Sequence, residues 1–365
     1  MNHLCSIAEQ FVAAGSRIAG IENFGNGNIN DTYLVKSETG EADSFILQRV
    51  NTHVFRRPEL VLRNLRTCTD HLCRKLRNSA LTGRRWEVPY LLLTRDDSDY
   101  WIDPDGSFWR ALSFIPDVRS FDIIMNSSHA GEVGYALGMF HTLLNDLPPD
   151  RLADTLEGFH VTPSYLRHYE EVLAEYSHAK TPEVNYCMDF VEKRSAWASL
   201  LENARIEGKL FLRPIHGDPK VNNILFDAAT GKAVSIIDLD TVNPGLVHYD
   251  IGDCLRSGCN PVGEETEAWE RICFDTDLCR AILQGYLSLA GEFLTEYDFL
   301  YIYDSIRLIT FELGLRFFTD YLEGDVYFKV KRAEHNLARA LVQFRLAESI
   351  ESQEKEIRKI IRESR

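Results

Sequence analysis

The chain has 365 residues, of which 45% are hydrophobic, and this apolar content fills two globular lobes and excludes a wholly disordered protein. Its 55 acidic and 40 basic residues give a formal charge of −15, which disfavours binding to nucleic acids or anionic membranes. No stretch is apolar enough to cross a bilayer, and the N-terminus lacks a signal-peptide pattern. We therefore expect a cytoplasmic protein, monomeric or weakly dimeric, with a small molecule as its partner.

The 8 cysteines show neither a Cys-x-x-Cys spacing nor histidine pairs at the spacing of a zinc site. In a reducing compartment such residues remain thiols. We expect them to be reduced and mostly buried.

The N-terminal part predicts a helix over 4–14 and then strands near 18–24, 32–35 and 45–49. Between the first two strands lies a turn rich in glycine and asparagine, which contains Gly25 and Gly27. Glycines let a backbone approach phosphates closely, with amide groups pointing inward. An ordinary hairpin turn has the same pattern.

A helix over 58–76 and further strands within 88–114 follow, with a hairpin turn at 103–106. From His129 onward the pattern is mainly helical. His141 lies on the apolar face of the first of these helices, and we interpret it as a core or capping residue rather than a ligand. Later helices are predicted over 164–178, 184–206, 276–290, 296–318 and 335–365, with 351–365 as a solvated helix or frayed tail.

A loop that leads into a β-hairpin follows the helix over 184–206. Two short apolar strands, 224–226 and 234–237, are joined by a turn, so the residues at the two ends of the hairpin lie side by side. Asn223 is thereby brought close to Asp238. Asp218 lies on the preceding loop.

Three polar groups at this spacing fit phosphoryl transfer. The reaction needs a carboxylate that orients and deprotonates the attacking hydroxyl, and oxygen ligands that hold Mg²⁺ on the nucleotide phosphates. Asp218 is the predicted base, and Asn223 and Asp238 are the predicted metal ligands. A lone His216-Gly217-Asp218 is also typical of a simple turn, but the strand-loop-strand context favours the catalytic interpretation.

These residues resemble the aminoglycoside phosphotransferase and choline kinase superfamily, and more closely its N-acetylhexosamine 1-kinase branch. The resemblance runs from 25–30 through 216–240 to 311–316 and 320–325. It implies an α+β, two-lobed, protein-kinase-like fold. The nucleotide-binding lobe would span 1–115, and the catalytic and substrate-binding lobe 116–365.

The resemblance also implies ATP and Mg²⁺ as cofactors and assigns further roles. Predicted nucleotide contacts are Gly25, Gly27, Gln48 and Lys220. Predicted acceptor contacts are Asn28, Asn30, Arg316 and Tyr327. Support of the catalytic loop is predicted for His216, Asp240 and Asp250. For Asp250, the cap of a helix N-terminus is an alternative, and for Arg316 an ion pair with Glu312.

The third strand departs from the kinase pattern, which has a lysine where this chain has Gln48. The helix over 58–76 offers no obvious glutamate partner for such a lysine. Either another cation contacts the phosphates, or Mg²⁺ and backbone amides suffice.

The predicted activity is transfer of the γ-phosphoryl group of ATP to the anomeric hydroxyl of an N-acetylhexosamine. An aminoglycoside, choline-like or other hydroxyl kinase is the alternative within the superfamily. A catalytically silent nucleotide-binding module is the alternative from another class.

Overall fold

The computed structural model describes residues 2–12, 17–25, 29–38, 40–78, 84–177 and 181–365. A β-rich N-terminal part precedes a larger, mainly helical part. This arrangement confirms the predicted α+β fold class. Gly27 and Asn28, two residues with predicted roles, lie outside the described residues.

The N-terminal part is an antiparallel sheet with a short helix, α1 (Asn2–Ala8), packed on one face. Its strands are β1 (Ile18–Asn23), β2 (Asp31–Ser37), β3 (Gly40–Val50), β4 (Leu91–Leu92), β5 (Trp101–Ile102) and β6 (Phe108–Ser113). They lie in the order β1-β2-β3-β6-β4, and β5 also pairs with β6. The predicted strands and the hairpin turn before β6 are confirmed.

The two faces of this sheet differ because side chains alternate along a strand. Phe45, Leu47 and Trp109 point to one face and form a small core with residues of the N-terminal helical segment. Gln48 and Arg110, which are directly paired between β3 and β6, point to the other face. That face meets the rest of the chain through a contact between Arg110 and Asp240.

Helix α2 (Pro58–Asn78) connects the first three strands to the others, and its apolar side chains belong to the main core. The strand β7 (Val118–Arg119) pairs with β9 (Ile224–Asp227), which also pairs with β10 (Ala233–Ile236). A further pair is formed by β8 (Arg213–Ile215) and β11 (Asn243–Gly245). The first strand after the predicted lobe boundary at residue 115 is β7, and it belongs to the sheet of β9 and β10 rather than to the N-terminal sheet.

Nine helices of the described chain build the second part around one continuous core. They are α3 (Ser127–Leu144), α4 (Thr162–Glu175), α5 (Pro182–Arg194), α6 (Leu200–Ile206), α7 (Val247–Gly258), α8 (Thr276–Ala290), α9 (Glu296–Glu323), α10 (His335–Ser352) and α11 (Glu354–Glu363). Helices α3 and α8 approach so closely that a Cβ atom added to Gly134 would lie 1.9 Å from the carbonyl oxygen of Ile282. None of the helices in the described ranges is long and apolar enough to cross a bilayer.

The C-terminal segment is a helix, as one of the two predicted alternatives had it, but this helix is not solvated on all sides and the tail is not frayed. Helix α11 buries Ile357, Ile360 and Ile361, whose spacing of three and one places them on one helix face. Charged residues on its other side form ion pairs, among them that of Glu363 with Arg280. The predicted helices over 184–206 and 335–365 are each interrupted, the latter at Gln353.

The cysteine prediction is confirmed. All eight are free thiols, and Cys68, Cys187, Cys254, Cys259 and Cys279 are buried. Burial raises the pKa of the Cys68 thiol to about 12, so this group stays protonated at neutral pH.

Candidate active site

The loop over 216–223, called the catalytic loop here after its predicted role, and the hairpin that follows it bring the predicted site residues together. Strand β8 leads into His216, and a short 3₁₀ turn that ends at Asn223 leads into β9. The N–H of Ile237 donates a hydrogen bond to the carbonyl oxygen of Asn223, 2.8 Å away. This bond extends the β9–β10 ladder to the residue before Asp238. The predicted proximity of Asn223 and Asp238 thus follows from the register of the hairpin.

Asp218 lies at the centre of a small polar cluster. Its Oδ2 atom is 3.0 Å from Nζ of Lys220, and its backbone carbonyl accepts a hydrogen bond of 2.7 Å from Nδ2 of Asn223. The Asp218 side chain remains 29% exposed, so a ligand can reach it. Burial raises the pKa of Asp218, and the neighbouring ammonium group of Lys220 opposes this shift. The arrangement gives an accessible carboxylate of increased basicity.

Asp238 adds a second carboxylate to the cluster. Its backbone is left-handed, with φ 65° and ψ 55°, a strained conformation often found at functional sites. Burial, together with the negative charges of Asp240 and Asp218, raises the pKa of Asp238 to about 7. A divalent cation would relieve this repulsion between carboxylates.

The donor set fits Mg²⁺. The Nδ2 group of Asn223 donates hydrogen bonds to Asp218, and no described residue donates a hydrogen bond to Oδ1 of Asn223. An amide oxygen and the carboxylate of Asp238 are the hard oxygen ligands that Mg²⁺ prefers.

Asp250 holds the backbone of the catalytic loop. Its carboxylate accepts hydrogen bonds from the N–H groups of His216, at 2.7 Å, and Gly217, at 2.8 Å. Helix α7 begins at Val247 after the cap residue Leu246, so the alternative that Asp250 caps the helix was wrong. Burial alone would raise the pKa of Asp250, but its bond with His141 and the nearby His216 lower it.

Two histidines brace this arrangement from either side. His141 is buried and lies 2.8 Å from Oδ2 of Asp250, with its other ring nitrogen 3.0 Å from the hydroxyl of Tyr286. Its prediction as a core histidine is confirmed, although its contact with Asp250 was not foreseen. His216 lies 2.9 Å from the carbonyl oxygen of Ile237 through Nε2 and so links the loop to the hairpin.

His160 also contacts the loop, and sequence reasoning missed it. Its Nε2 atom lies 2.8 Å from the carbonyl oxygen of Gly217, and its Nδ1 atom lies 2.8 Å from Oε1 of Glu312. When Glu312 is ionised, both partners only accept hydrogen bonds, so both ring nitrogens donate and the imidazole carries a positive charge. Burial lowers the pKa of His160, but the charge of Glu312 and the hydrogen bonds with Glu312 and Gly217 together raise this pKa above its usual value. No local motif marks this residue in the sequence.

Gly217 takes a conformation that suits glycine, with φ at 86°. A Cβ atom at this position would lie 2.7 Å from the carbonyl oxygen of Thr241. The loop between His216 and Asp218 can therefore pass close to the turn after Asp238. This close approach accounts for the glycine in the motif.

Gly25 and Asn30, two residues of the N-terminal part with predicted roles, lie in the described chain, and Asn30 reaches the same turn. Gly25 has a φ of 72°, and an added Cβ atom there would meet no atom within 4 Å. Asn30 donates from Nδ2 to Oδ2 of Asp240, at 2.7 Å, and its Oδ1 atom accepts from the N–H of Asn51. Asn30 is thus bound to Asp240 within the protein.

Gln48 contacts a cation that sequence analysis did not single out. Its Oε1 atom accepts hydrogen bonds from Nε and Nη2 of Arg110, at 3.0 and 2.7 Å. Nη1 of Arg110 lies 2.6 Å from Oδ1 of Asp240. Both ionic side chains are almost completely buried. The signal in the sequence was the strand pairing that places Arg110 opposite Gln48.

Arg316 lies among aromatic rings. The centre of its guanidinium group is 5.0 Å from the Tyr165 ring, 5.4 Å from that of Phe159 and 5.5 Å from that of Phe328. Within the described parts of the chain it forms neither an ion pair nor a hydrogen bond. Burial disfavours its charge, but Tyr165, Tyr327 and nearby acidic groups, Asp218 among them, raise the pKa of Arg316.

The alternative that Arg316 pairs with Glu312 was wrong. Oε1 of Glu312 contacts His160, and Oε2 accepts a hydrogen bond of 2.6 Å from the hydroxyl of Thr162. Tyr327 leaves 53% of its surface exposed, and its N–H donates to Asp320 at 2.7 Å. The structure therefore places a free guanidinium group and an exposed tyrosine on the segment predicted to contact the acceptor.

Many solved structures share this fold. The aminoglycoside phosphotransferase from Alicyclobacillus acidocaldarius subsp. acidocaldarius DSM 446 is similar with a TM-score of 0.65 and 14% identity, over 98% of this chain and 96% of that one. A microcompartment-associated aminopropanol kinase has a TM-score of 0.61 and 15% identity, over 98% of both chains. The choline kinase from Cryptosporidium parvum Iowa II has a TM-score of 0.61 and 13% identity, over 97% of this chain and 95% of that one.

The sequence itself also matches a family. Residues 20–286 match the family described as the phosphotransferase enzyme family, abbreviated APH. This range contains Asp218, Asn223 and Asp238. Since it spans more than half of the chain, the protein belongs to the phosphotransferase enzyme family.

Proposed function

We propose that the protein is an ATP-dependent kinase that phosphorylates the anomeric hydroxyl of an N-acetylhexosamine. The observation that carries the kinase assignment is the cluster of Asp218, Lys220, Asn223 and Asp238 around one accessible carboxylate. A base beside oxygen ligands for a cation is what phosphoryl transfer needs from a protein.

Asp218 takes up the proton of the acceptor hydroxyl. The freed oxygen then forms a bond to the γ-phosphorus, while the bond from that phosphorus to the bridging oxygen breaks and ADP leaves. Burial supports this role because it raises the basicity of the carboxylate. Lys220 and Asn223 fix the orientation of Asp218 through its side chain and its backbone carbonyl.

Asn223 and Asp238 would hold Mg²⁺, which when bound neutralises charge on the nucleotide phosphates. Lys220 lies close enough to Asp218 to place a positive charge beside the transferred group. Asp250, His216 and His160 keep the loop in position through its backbone.

The acceptor assignment depends on Arg316. A cationic acceptor such as choline or an aminoglycoside calls for aromatic or acidic groups that remain available to its charge. Here the faces of three aromatic rings already surround the guanidinium group, and Glu312, one helix turn away, is bound to His160 and Thr162. A cationic acceptor would therefore be repelled by the positive charge of Arg316. A neutral acceptor rich in hydroxyl and carbonyl oxygens would instead accept the free hydrogen bonds of Arg316.

The alternative of a silent nucleotide-binding module is less consistent with the site. A module that only binds nucleotide has no need of an accessible base beside a metal-binding pair. A buried arginine close to Gln48 also supplies a positive charge in the region where the third strand lacks one.

A panel of acceptors tests the proposal. Purified protein with ATP and Mg²⁺ is offered N-acetylglucosamine, N-acetylgalactosamine, glucose, choline, ethanolamine and kanamycin, and products are identified by ³¹P NMR. We expect a sugar 1-phosphate from the N-acetylated sugars and little turnover of the cations. Preferential phosphorylation of a cationic acceptor would contradict the acceptor assignment and leave the kinase assignment intact.

A further inference from the structure

The third strand of the N-terminal sheet carries a neutral side chain, Gln48, on the face that points toward the catalytic part. Its directly paired neighbour on β6 is Arg110, and its neighbour on β2 is Thr32. Side chains of paired residues lie on the same face of a sheet. The row of Thr32, Gln48 and Arg110 therefore carries one positive charge, displaced by one strand.

Hydrogen bonds fix the direction of this arginine. Gln48 donates from Nε2 to the hydroxyl of Thr32 at 3.0 Å and accepts two hydrogen bonds from Arg110 through Oε1. The remaining nitrogen, Nη1, is left to contact Asp240. Gln48 thus holds the guanidinium group beside one carboxylate, with Nη1 at 2.6 Å from Oδ1 of Asp240 as an ion pair, although these two atoms do not share a hydrogen bond.

Two side chains of the N-terminal part contact the carboxylate of Asp240. Arg110 approaches Oδ1 at 2.6 Å, and Asn30, shortly after the glycine turn, donates to Oδ2 at 2.7 Å. The Arg110 and Asp240 side chains are only 1% and 2% exposed. The free-energy cost of desolvating two buried charges offsets much of their mutual attraction. A contribution to folding stability alone is therefore a poor explanation for this ion pair.

Because Asp240 lies close to Asp238 in the chain, the ion pair between Arg110 and Asp240 affects the proposed metal ligand. Asp240 lies in the short turn Leu239–Thr241, immediately after Asp238. Anything that fixes Asp240 also fixes the backbone that presents the Asp238 carboxylate. The same contacts hold the segment that follows the glycine turn.

We infer that Arg110 is a positioning residue that takes the place of the missing third-strand lysine, holding the turn of Asp238 in register with the nucleotide-binding sheet. This inference rests on the proposed function in one respect, because it takes Asp238 as a metal ligand. Arg110 acts through Asp240, and its loss is therefore felt in the use of metal and nucleotide rather than in acceptor binding.

The test uses the full chain and compares Arg110→Met, Arg110→Lys, Asp240→Asn and the double variant Gln48→Lys/Arg110→Met. For each protein the KM for ATP, the KM for the acceptor, kcat, the Mg²⁺ midpoint and the melting temperature with and without ADP and Mg²⁺ are measured. Arg194→Met is the matched control, since Arg194 pairs with Glu351 between α5 and α10, away from the cluster.

For Arg110→Met we expect kcat/KM for ATP to fall by about 100-fold, the scale of a catalytic group displaced by about 1 Å. The Mg²⁺ midpoint should rise, and the acceptor KM should change by less than about threefold. The double variant should recover much of the loss, because a lysine at position 48 faces the space vacated by the guanidinium group. Arg194→Met should lower the melting temperature and leave the ATP parameters unchanged.

Wild-type ATP parameters and Mg²⁺ midpoint in a folded Arg110→Met protein would overturn the inference. So would a double variant that regains thermal stability without regaining ATP use, because the pair would then be structural only. If Arg110→Met does not fold, Arg110→Lys decides the matter: it keeps the charge but replaces the planar guanidinium fork, which reaches Gln48 and Asp240 through different nitrogens, by a single ammonium nitrogen. We expect reduced ATP use there, and wild-type ATP use would contradict the role.

The nucleotide measurements separate this inference from the proposed function. The thermal shift caused by ADP and Mg²⁺ requires no acceptor, so a wrong acceptor assignment leaves it unaffected. If Asp238 is not a metal ligand, Asp238→Ala will leave the Mg²⁺ midpoint unchanged whatever Arg110 does.

Discussion

His160 and Glu312 form a buried ion pair, with Nδ1 of the histidine 2.8 Å from Oε1 of the glutamate. The histidine also binds the carbonyl oxygen of Gly217 and so connects the catalytic loop to helix α9, which carries Arg316. His160 has a φ of 60°, a left-handed conformation that asparagine tolerates better than most residues. His160→Asn therefore removes the pair with little added backbone strain.

We predict that His160→Asn lowers the free energy of unfolding by about 3 kcal/mol at pH 6, as expected when one partner of a buried pair is removed. The pKa of His160 is raised by Glu312 above the unfolded value of about 6.5. The stabilisation is thus complete below about pH 6.5 and is lost as the pH rises through the folded-state pKa. Denaturant unfolding at pH 6 and pH 9 measures the difference between wild type and variant.

His168→Asn is the control for this experiment, because His168 is half exposed and pairs with Glu323 on the surface. Its effect should be below about 1 kcal/mol. A His160→Asn variant whose destabilisation is the same at both pH values would show that the histidine is not charged in the native protein.

The proposed metal ligands predict a second result. Asn223→Ala and Asp238→Ala each remove an oxygen ligand and should raise the Mg²⁺ midpoint of activity by about tenfold or more. Titration of activity with Mg²⁺ at saturating ATP measures this. The exposed residue Asp277 offers the control Asp277→Ala. Unchanged midpoints in both variants would mean that the ion is bound elsewhere.

The same site predicts a pH dependence. Because burial and neighbouring carboxylates raise the pKa of Asp238 to about 7, a proton competes with the metal near neutrality. The Mg²⁺ midpoint of the wild-type protein should therefore rise as the pH falls below about 7 and level off above it. A midpoint that stays constant from pH 6 to pH 8 would contradict the shifted pKa.

The proposed role of Arg316 predicts that its loss affects the KM for the sugar but not the KM for ATP. Arg316→Ala should raise the KM for the sugar by about 10- to 100-fold and leave the KM for ATP nearly unchanged, since in the proposed function the N–H groups of Arg316 bind the acceptor alone. Arg307→Ala is a matched control on the same helix, because Arg307 also lies over aromatic rings but pairs with Asp304. A drop in melting temperature with an unaltered sugar KM would make Arg316 a structural residue.

Local patterns in the sequence predicted the hairpin that brings Asn223 close to Asp238. This hairpin depends on neighbouring residues, and two short apolar strands and a turn indicated that its two ends lie side by side. The irregularity of the strand pairing between Ala233 and Ser235 was not predicted. The fold class was also accessible, because all strands of the large sheet precede the helices of the second part along the chain.

The residues that hold the site were harder to predict because their contacts are distant in sequence. His160 meets Glu312 across 152 positions, whereas the sequence offered Arg316, four positions away, as the natural partner of that glutamate. Arg110 meets Asp240 only because two strands place it beside Gln48. The three buried isoleucines of α11 are surrounded in the sequence by charged residues, so the pattern did not indicate a buried helix face, which only the tertiary packing reveals.

The role of Asp218 is the central claim, and the rate of γ-phosphoryl transfer from ATP to N-acetylglucosamine in wild type and Asp218→Asn tests it most directly. We predict that the variant folds, binds ADP with Mg²⁺, and loses turnover by about two to four orders of magnitude, as expected for loss of a positioned base. Retention of more than about a tenth of the wild-type rate would contradict the role of Asp218 and the mechanism built on it.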